Sequence, residues 1–185
     1  MKTLQTNYIS KLQAALAGNA MDGVSVLAQS LLDARDNGRH FFICGNGGSA
    51  GNAIHLANDF LYGVARSSGK GLKVEALSAN PAVLTCLGND LGYEHIFSEQ
   101  LKVKAKQGDV LLVLSGSGNS PNVVRALEVA SELGLSTFAI LAFSGGLCKE
   151  ITHHPIHFEV DDMQVAEDLQ LIVGHMCMQW LCARN

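Results

Sequence analysis

The 185-residue chain reads as an α/β protein: a doubly wound, parallel, five-stranded sheet of the flavodoxin-like sandwich type, with a helical N-terminal extension. Three features predict it. Apolar runs without polar alternation, clearest in Val110-Leu111-Leu112-Val113-Leu114, read as strands buried on both faces. These runs alternate with stretches of helical periodicity. Glycine-rich turns follow two of the runs, where strand gives way to helix. Right-handed crossovers then cover both faces, and ligands belong at the carboxyl ends of the strands.

In chain order, residues 2–36 predict two helices, with Ile9, Leu12, Leu16 and then Val24, Leu27, Leu31 at helical spacing. Asn37-Gly38 is a stop signal. Phe41-Phe42-Ile43-Cys44 is a short buried strand. Ser49 is placed to cap a helix running to about Val64, and Lys73 to Leu77 is the second strand. Residues 80–104 read as helix broken around Gly88–Tyr93. After the Val110–Leu114 strand comes a helix from Ser120 to Leu133, closed by Gly134. Thr137 to Leu141 and the weaker Pro155 to Val160 are the last strands, and Met163 to Cys182 is a long closing helix. The expected organisation is one domain over 1–185, with N-terminal helices in 1–37 and the α/β core in 38–185.

Composition narrows the function classes. The length suits about one domain, able to bury roughly 70% of its unfolded surface without staples. Charged residues are 16% of the chain, against about 25% in ordinary globular proteins, which argues against disorder and points to surface covered by another subunit. The net charge of −4 (13 basic minus 17 acidic) disfavours a nucleic-acid backbone binder. No apolar run approaches the roughly 18 residues of a membrane span, and the first residues lack the apolar core of a signal peptide. Five dispersed cysteines without a CxxC pair read as reduced thiols of a cytoplasmic protein.

Two loops leave strands, enter helices and suit an anion. In Cys44-Gly45-Asn46-Gly47-Gly48-Ser49, glycines let the backbone approach a ligand while free N–H groups and the helix dipole point outward. It is neither the GxGxxG fingerprint nor a P-loop. In Ser115-Gly116-Ser117-Gly118-Asn119-Ser120, hydroxyls and amides offer donors without charge, a composition suited to a phosphate dianion. Together they specify a small phosphorylated ligand. On the helix after the first loop, Asn52, His55, Asp59 and Tyr62 share one stripe, while Ile54, Ala57, Leu61 and Val64 share another, expected to face the core. His55 and Asp59, at i and i+4, can touch and serve as a catalytic pair or as two legs of a metal site. His153, His154 and His157 read as loop or edge histidines.

The two loops, with Gly88-Asn89-Asp90 between them, resemble the sugar isomerase (SIS) domain, most closely its phosphoheptose isomerase branch, over nearly the whole chain. The resemblance implies that Asn46, Gly47, Gly48 and Ser49 line the substrate pocket, that Asn89 and Asp90 meet sugar hydroxyls, and that Ser115, Gly116, Ser117 and Ser120 hold the phosphate. The family carries Glu at the place of Asp59, where it is the base, and Gln at the place of Glu167. Eight residues after that Gln stands a second His, matched by His175. Catalysis is then carried by Asp59 and His175, with His55 orienting, polarising or holding a metal. Glu167 is the departing substrate-binding position, and Gln170 lies one turn further on. The family's zinc, where present, falls to His55, Asp59, Glu167 and His175. A homotetramer with shared active sites is implied as well.

Two functions of different class follow. One is an aldose–ketose isomerase, first of sedoheptulose 7-phosphate to D-glycero-D-manno-heptose 7-phosphate, supplying heptose for lipopolysaccharide-type carbohydrate synthesis, or of another phosphosugar. The other is a non-catalytic phosphosugar-binding regulator, resembling the protein that associates with the replication initiator DnaA.

Overall fold

The computed structural model describes residues 1–184. The chain begins with two helices, α1 (Lys2–Leu16) and α2 (Ala20–Asp36). Strand β1 (His40–Gly45) leads into α3 (Gly48–Asn58), a π turn (Asp59–Gly63) and α4 (Val64–Ser68). Then follow β2 (Lys73–Ala76), α5 (Pro81–Asp90), a 3-10 turn (Tyr93–His95), α6 (Ser98–Lys104), β3 (Val110–Ser115) and α7 (Pro121–Glu132). The chain closes with β4 (Ser136–Leu141), α8 (Gly146–Ile151), β5 (His154–His157) and α9 (Met163–Cys182).

The five strands are all parallel, in the order β2-β1-β3-β4-β5. Strand residues alternate between two apolar layers because successive side chains point to opposite faces. Phe41, Ile43, Leu112 and Ile140 meet Leu27, Leu31, Leu56 and Val173 on one side. Phe42, Cys44, Leu111 and Val113 meet Leu101, Val123 and Leu127 on the other. The order reverses direction between β1 and β3, whose pairing runs from Phe41 against Val110 to Gly45 against Leu114. Such a switch point opens a crevice at the strands' carboxyl ends.

The strands, the first two helices and α9 fall close to where the sequence places them. Five details differ. Gly47, not Ser49, is the N-cap of α3, because Ser49 already lies in the first helical turn. The expected continuous helix to Val64 widens into the π turn at Asp59. The core-facing stripe of that helix is Ala53, Leu56, Phe60 and Val64, whereas Ile54 and Leu61 are 45% and 54% exposed. The two stripes sit one residue apart, and the packing of Leu56 against α9 decides between them. Helix α8 carries no detectable periodicity in its six residues, and β5 ends at His157 rather than Val160.

Helix α1 contributes no fully buried residue. It is held to the start of α9 by two polar contacts, Tyr8 Oη donating to Asp168 Oδ2 and Lys11 Nζ to Asp162 Oδ2, each at 2.6 Å. The Asp168 carboxylate accepting that bond pushes the Tyr8 phenol up to about 12. Asp162 caps α9 by accepting from the Val165 N–H, and the Lys11 bond, ahead of that cap, holds its carboxyl below its ordinary value. A carboxyl depressed in the folded state adds stability above its unfolded pKa and loses it as the pH falls towards the folded value. Lys11→Met should therefore lower the thermal midpoint at pH 7 and narrow the gap to wild type as the solution is acidified below the carboxylate range, as measured by circular-dichroism melts across pH.

Helices α3 and α9 cross where Gly174 faces Leu56, so closely that a Cβ on Gly174 would overlap the Leu56 side chain. Leu56 is fully buried and has nowhere to move. Gly174→Ala should cost about 1–3 kcal/mol through overpacking, read as a lower urea midpoint with an unchanged m-value.

Candidate active site

The loops after β1 and β3 lie side by side because their strands are neighbours. They are also joined by side chains. Asn46 Nδ2 donates to Asn122 Oδ1 at 2.9 Å, and Asn122 Nδ2 donates back to Asn46 Oδ1 at 2.8 Å. Tyr93 Oη, reaching from the 3-10 turn, donates to the same Asn46 oxygen at 3.2 Å. No side chain caps the N-terminus of α3, so that helix end faces the crevice with its amides, whereas α7 opens on Pro121, which has no N–H, and its Val123 N–H is taken by Asn122 Oδ1.

The second loop keeps its shape through its own bonds. Ser115 Oγ accepts from the Gly118 N–H at 3.1 Å, which leaves the hydroxyl proton free to donate elsewhere. The Gly118 carbonyl accepts from Cys148 N, and Asn119 Oδ1 accepts from Leu147 N, bracing the loop on α8. Ser117 is exposed and Ser120 half-buried, where hydroxyls are available to a ligand. Ser49 is buried, and its Oγ accepts from Gln170 Nε2 at 3.0 Å. Asn89 and Asp90 are exposed at the end of α5 and bonded to each other at 2.7 Å.

The second group of residues stands on α3 and α9. His55 Nε2 and His175 Nε2 are 3.0 Å apart, one imidazole donating to the other. Asp59 Oδ2 lies 3.4 Å from His55 Nε2 and 3.5 Å from His175 Nε2. The two imidazoles are about half exposed, with the carboxylate more buried at 17%. Among the described residues these three form the group able to hold a metal ion. Glu167, the fourth ligand the sequence points to, lies outside it. Its carboxylate rests against Gly48, in space that a Cβ there would fill. The reason is axial: Glu167 precedes His175 by eight residues, about 12 Å of helix, and helical side chains lean towards the N-terminus.

Gln170 is buried and ties this arrangement together. Its Oε1 accepts from Asn52 Nδ2 at 3.0 Å while its Nε2 reaches Ser49. Asn52 Nδ2 also donates to the Glu167 carbonyl. Asn52, His55 and Asp59 thus face α9, as their stripe implies, and α3 and α9 are held in register by amides. The three edge histidines take structural partners: His153 Nδ1 accepts from Thr137 N, His154 stacks on Phe138, and His157 bonds the Phe143 carbonyl. Asn122 and Tyr93 were not legible as site residues. An Asn just inside a helix start and a Tyr in a short turn carry no periodic signal.

A family model described as SIS domain matches residues 6–142. The chain is 36% identical over 172 residues to a phosphoheptose isomerase of Geotalea daltonii, covering 93% of this chain and 89% of that protein. It is 40% identical over 143 residues to one of Crocosphaera subtropica, covering 77% and 72%. Among solved structures it is similar to the phosphoheptose isomerase GmhA from Neisseria gonorrhoeae, with a TM-score of 0.88 at 25% identity over 97% of this chain and 95% of that one. The fold is shared with a phosphoheptose isomerase from Francisella tularensis at a TM-score of 0.91 and 23% identity, covering 99% and 98%.

Gly118 has φ +67°, and a Cβ there would run into the Gly145 carbonyl, a backbone group. The left-handed backbone alone costs a non-glycine residue about 1–2 kcal/mol. Gly118→Ala should lower the thermal midpoint by at least about 2–4 °C and weaken competitive inhibition by inorganic phosphate, read by scanning fluorimetry and inhibition titration.

Proposed function

The chain belongs to the SIS domain family, and from that premise we propose that it is a phosphoheptose isomerase, interconverting sedoheptulose 7-phosphate and the corresponding aldoheptose 7-phosphate. The observation that carries the reading is the joining of the two uncharged loops at the β1–β3 switch point, with the His55–Asp59–His175 cluster formed between the helix leaving the first loop and α9. Seven residues, about 10 Å of helix, separate Gly48 from His55. That is the length scale of a sugar chain gripped at its phosphate and worked at its far end. The intact cluster favours catalysis over the regulator reading.

The reaction moves a carbonyl from C2 to C1. Asp59 takes a proton from C1, and the electron pair forms the C1=C2 bond of an enediol as the C2 oxygen becomes a hydroxyl. A proton is then returned to C2 while the C1 hydroxyl loses its own and becomes the aldehyde. His175 is the second proton-transfer group, and His55 holds Asp59 and polarises the carbonyl. Asn46, Gly47, Gly48 and Ser49 line the pocket, Asn89 and Asp90 meet hydroxyls, and Ser115, Gly116, Ser117 and Ser120 grip the phosphate. Glu167 borders the substrate beside Gly48.

The three donors suit zinc. Zinc–ligand distances near 2.1 Å imply donor separations of about 3.4 Å in a tetrahedron, and those found are 3.0, 3.4 and 3.5 Å. His55, Asp59 and His175 would hold the ion, which when bound supplies Lewis-acid polarisation of the sugar's carbonyl; a carboxylate engaged with it is a poorer base, so the two roles compete for Asp59. Exposed Ile54, Leu61, Tyr62 and Met176 flank the cluster and support a homotetramer with shared sites. A cytoplasmic setting fits five free thiols, with Cys44 and Cys177 raised by burial, the latter to about 12.

Incubation with sedoheptulose 7-phosphate should give the aldoheptose phosphate by proton NMR, and Asp59→Asn should cut kcat by about 10²–10⁴-fold with the fold intact. No conversion, with or without added zinc, would exclude the heptose substrate.

A further inference from the structure

Resting on the phosphosugar reading, we propose that Asn122 is a positioning residue for the reaction: its paired amide bonds with Asn46 set the spacing between the loop that grips the phosphate and the loop that carries the sugar. Asn122 is 1% exposed, at the second position of α7, directly behind the Ser115–Ser120 loop. Its oxygen is fully committed, and one of its two N–H groups is used. Oδ1 accepts from both Asn46 and its own neighbour Val123 N, and Nδ2 donates to Asn46. The Asn46 oxygen in turn takes Asn122 and Tyr93 together. With both lone pairs of its oxygen and one of its two N–H groups used in this way, the Asn46 side chain serves first as a clamp and keeps a single N–H for a ligand. A buried reciprocal amide pair allows one separation and one orientation.

The clamp joins two parts that are otherwise held independently. The second loop is braced on α8 through Gly118 and Asn119. The first is braced on α9 through Ser49 and Gln170. Without the amide pair each loop keeps its shape, but phosphate and reacting carbons lose their common frame. A displacement of about 1 Å at the reacting centre costs on the order of a hundredfold in rate.

The test is kinetic. Asn122→Asp keeps the volume but replaces a donor with a carboxylate oxygen facing Asn46 Oδ1, and Asn122→Ala removes both bonds. Both should lower kcat on sedoheptulose 7-phosphate by about a hundredfold while the inhibition constant of inorganic phosphate stays put. The Asn46→Ala/Asn122→Ala double variant should be no slower than the slower single, since one shared interaction is lost once. If the Asn122 variants fail to fold, Asn46→Ala makes the same cut from the half-exposed side. A folded variant with wild-type kcat, additive losses in the double variant, or phosphate inhibition weakening in step with kcat would overturn the inference while the isomerase reading stands. A wild-type protein inert on the sugar would overturn both.

Discussion

The parallel pairing of β1 with β3 is the constraint on which the rest of the molecule depends. These strands are neighbours in space but are separated in sequence by β2, which lies on the far side of β1. The connections therefore depart in opposite directions and leave an open crevice between the two loops. Each loop alone is an ordinary strand-to-helix turn. Side by side they present the amides of the uncapped α3 start and the hydroxyls of Ser115, Ser117 and Ser120 to one volume. An anion held there by neutral donors needs no lysine or arginine, in keeping with a chain of 16% charged residues.

A second constraint couples that crevice to the reactive side chains. Helix α3 starts at the first loop and crosses α9 at Gly174, where the absent side chain lets Leu56 approach the backbone. Close approach alone would allow sliding. The Asn52–Gln170–Ser49 bonds remove that freedom, and the result is His55 against His175. The π turn beginning at Asp59 belongs to the same design: widened helical turns are uncommon and recur at functional sites. Asp59, a methylene shorter than the glutamate its family leads one to expect, still reaches both imidazoles from that turn.

Much of this was legible in the sequence, and the parts that were not share a cause. Continuous apolar runs such as Val110–Leu114 report burial on both faces directly, so the three central strands could be read from the pattern of apolar residues, while the edge strands β2 and β5 carry polar residues and a weaker signal. Loop chemistry was legible because glycine and serine carry their backbone and donor properties with them. The face of α3 was harder. Two stripes one residue apart are equally apolar, and only the packing of Leu56 against Gly174 favours Ala53, Leu56, Phe60 and Val64 over Ile54 and Leu61. The π turn is invisible to a pattern that assumes a constant helical period. Asn122 was missed for another reason: its role lies wholly in a partner 76 residues away, and no local spacing encodes that.

The placement of Glu167 follows from charge as much as from reach. A phosphate dianion, Asp59 and Glu167 in one cleft repel one another, and distance is the only relief where the donors are neutral. Lying against Gly48, Glu167 sits beside the start of α3, whose unpaired amides and dipole favour a negative group. Asp59 stands about three turns further along, beside two imidazoles. The two carboxylates are thus kept apart. A glutamate is tolerable at a position where the resemblance leads one to expect an uncharged glutamine because the glycine that opens α3 leaves room for it and the helix end offsets its charge.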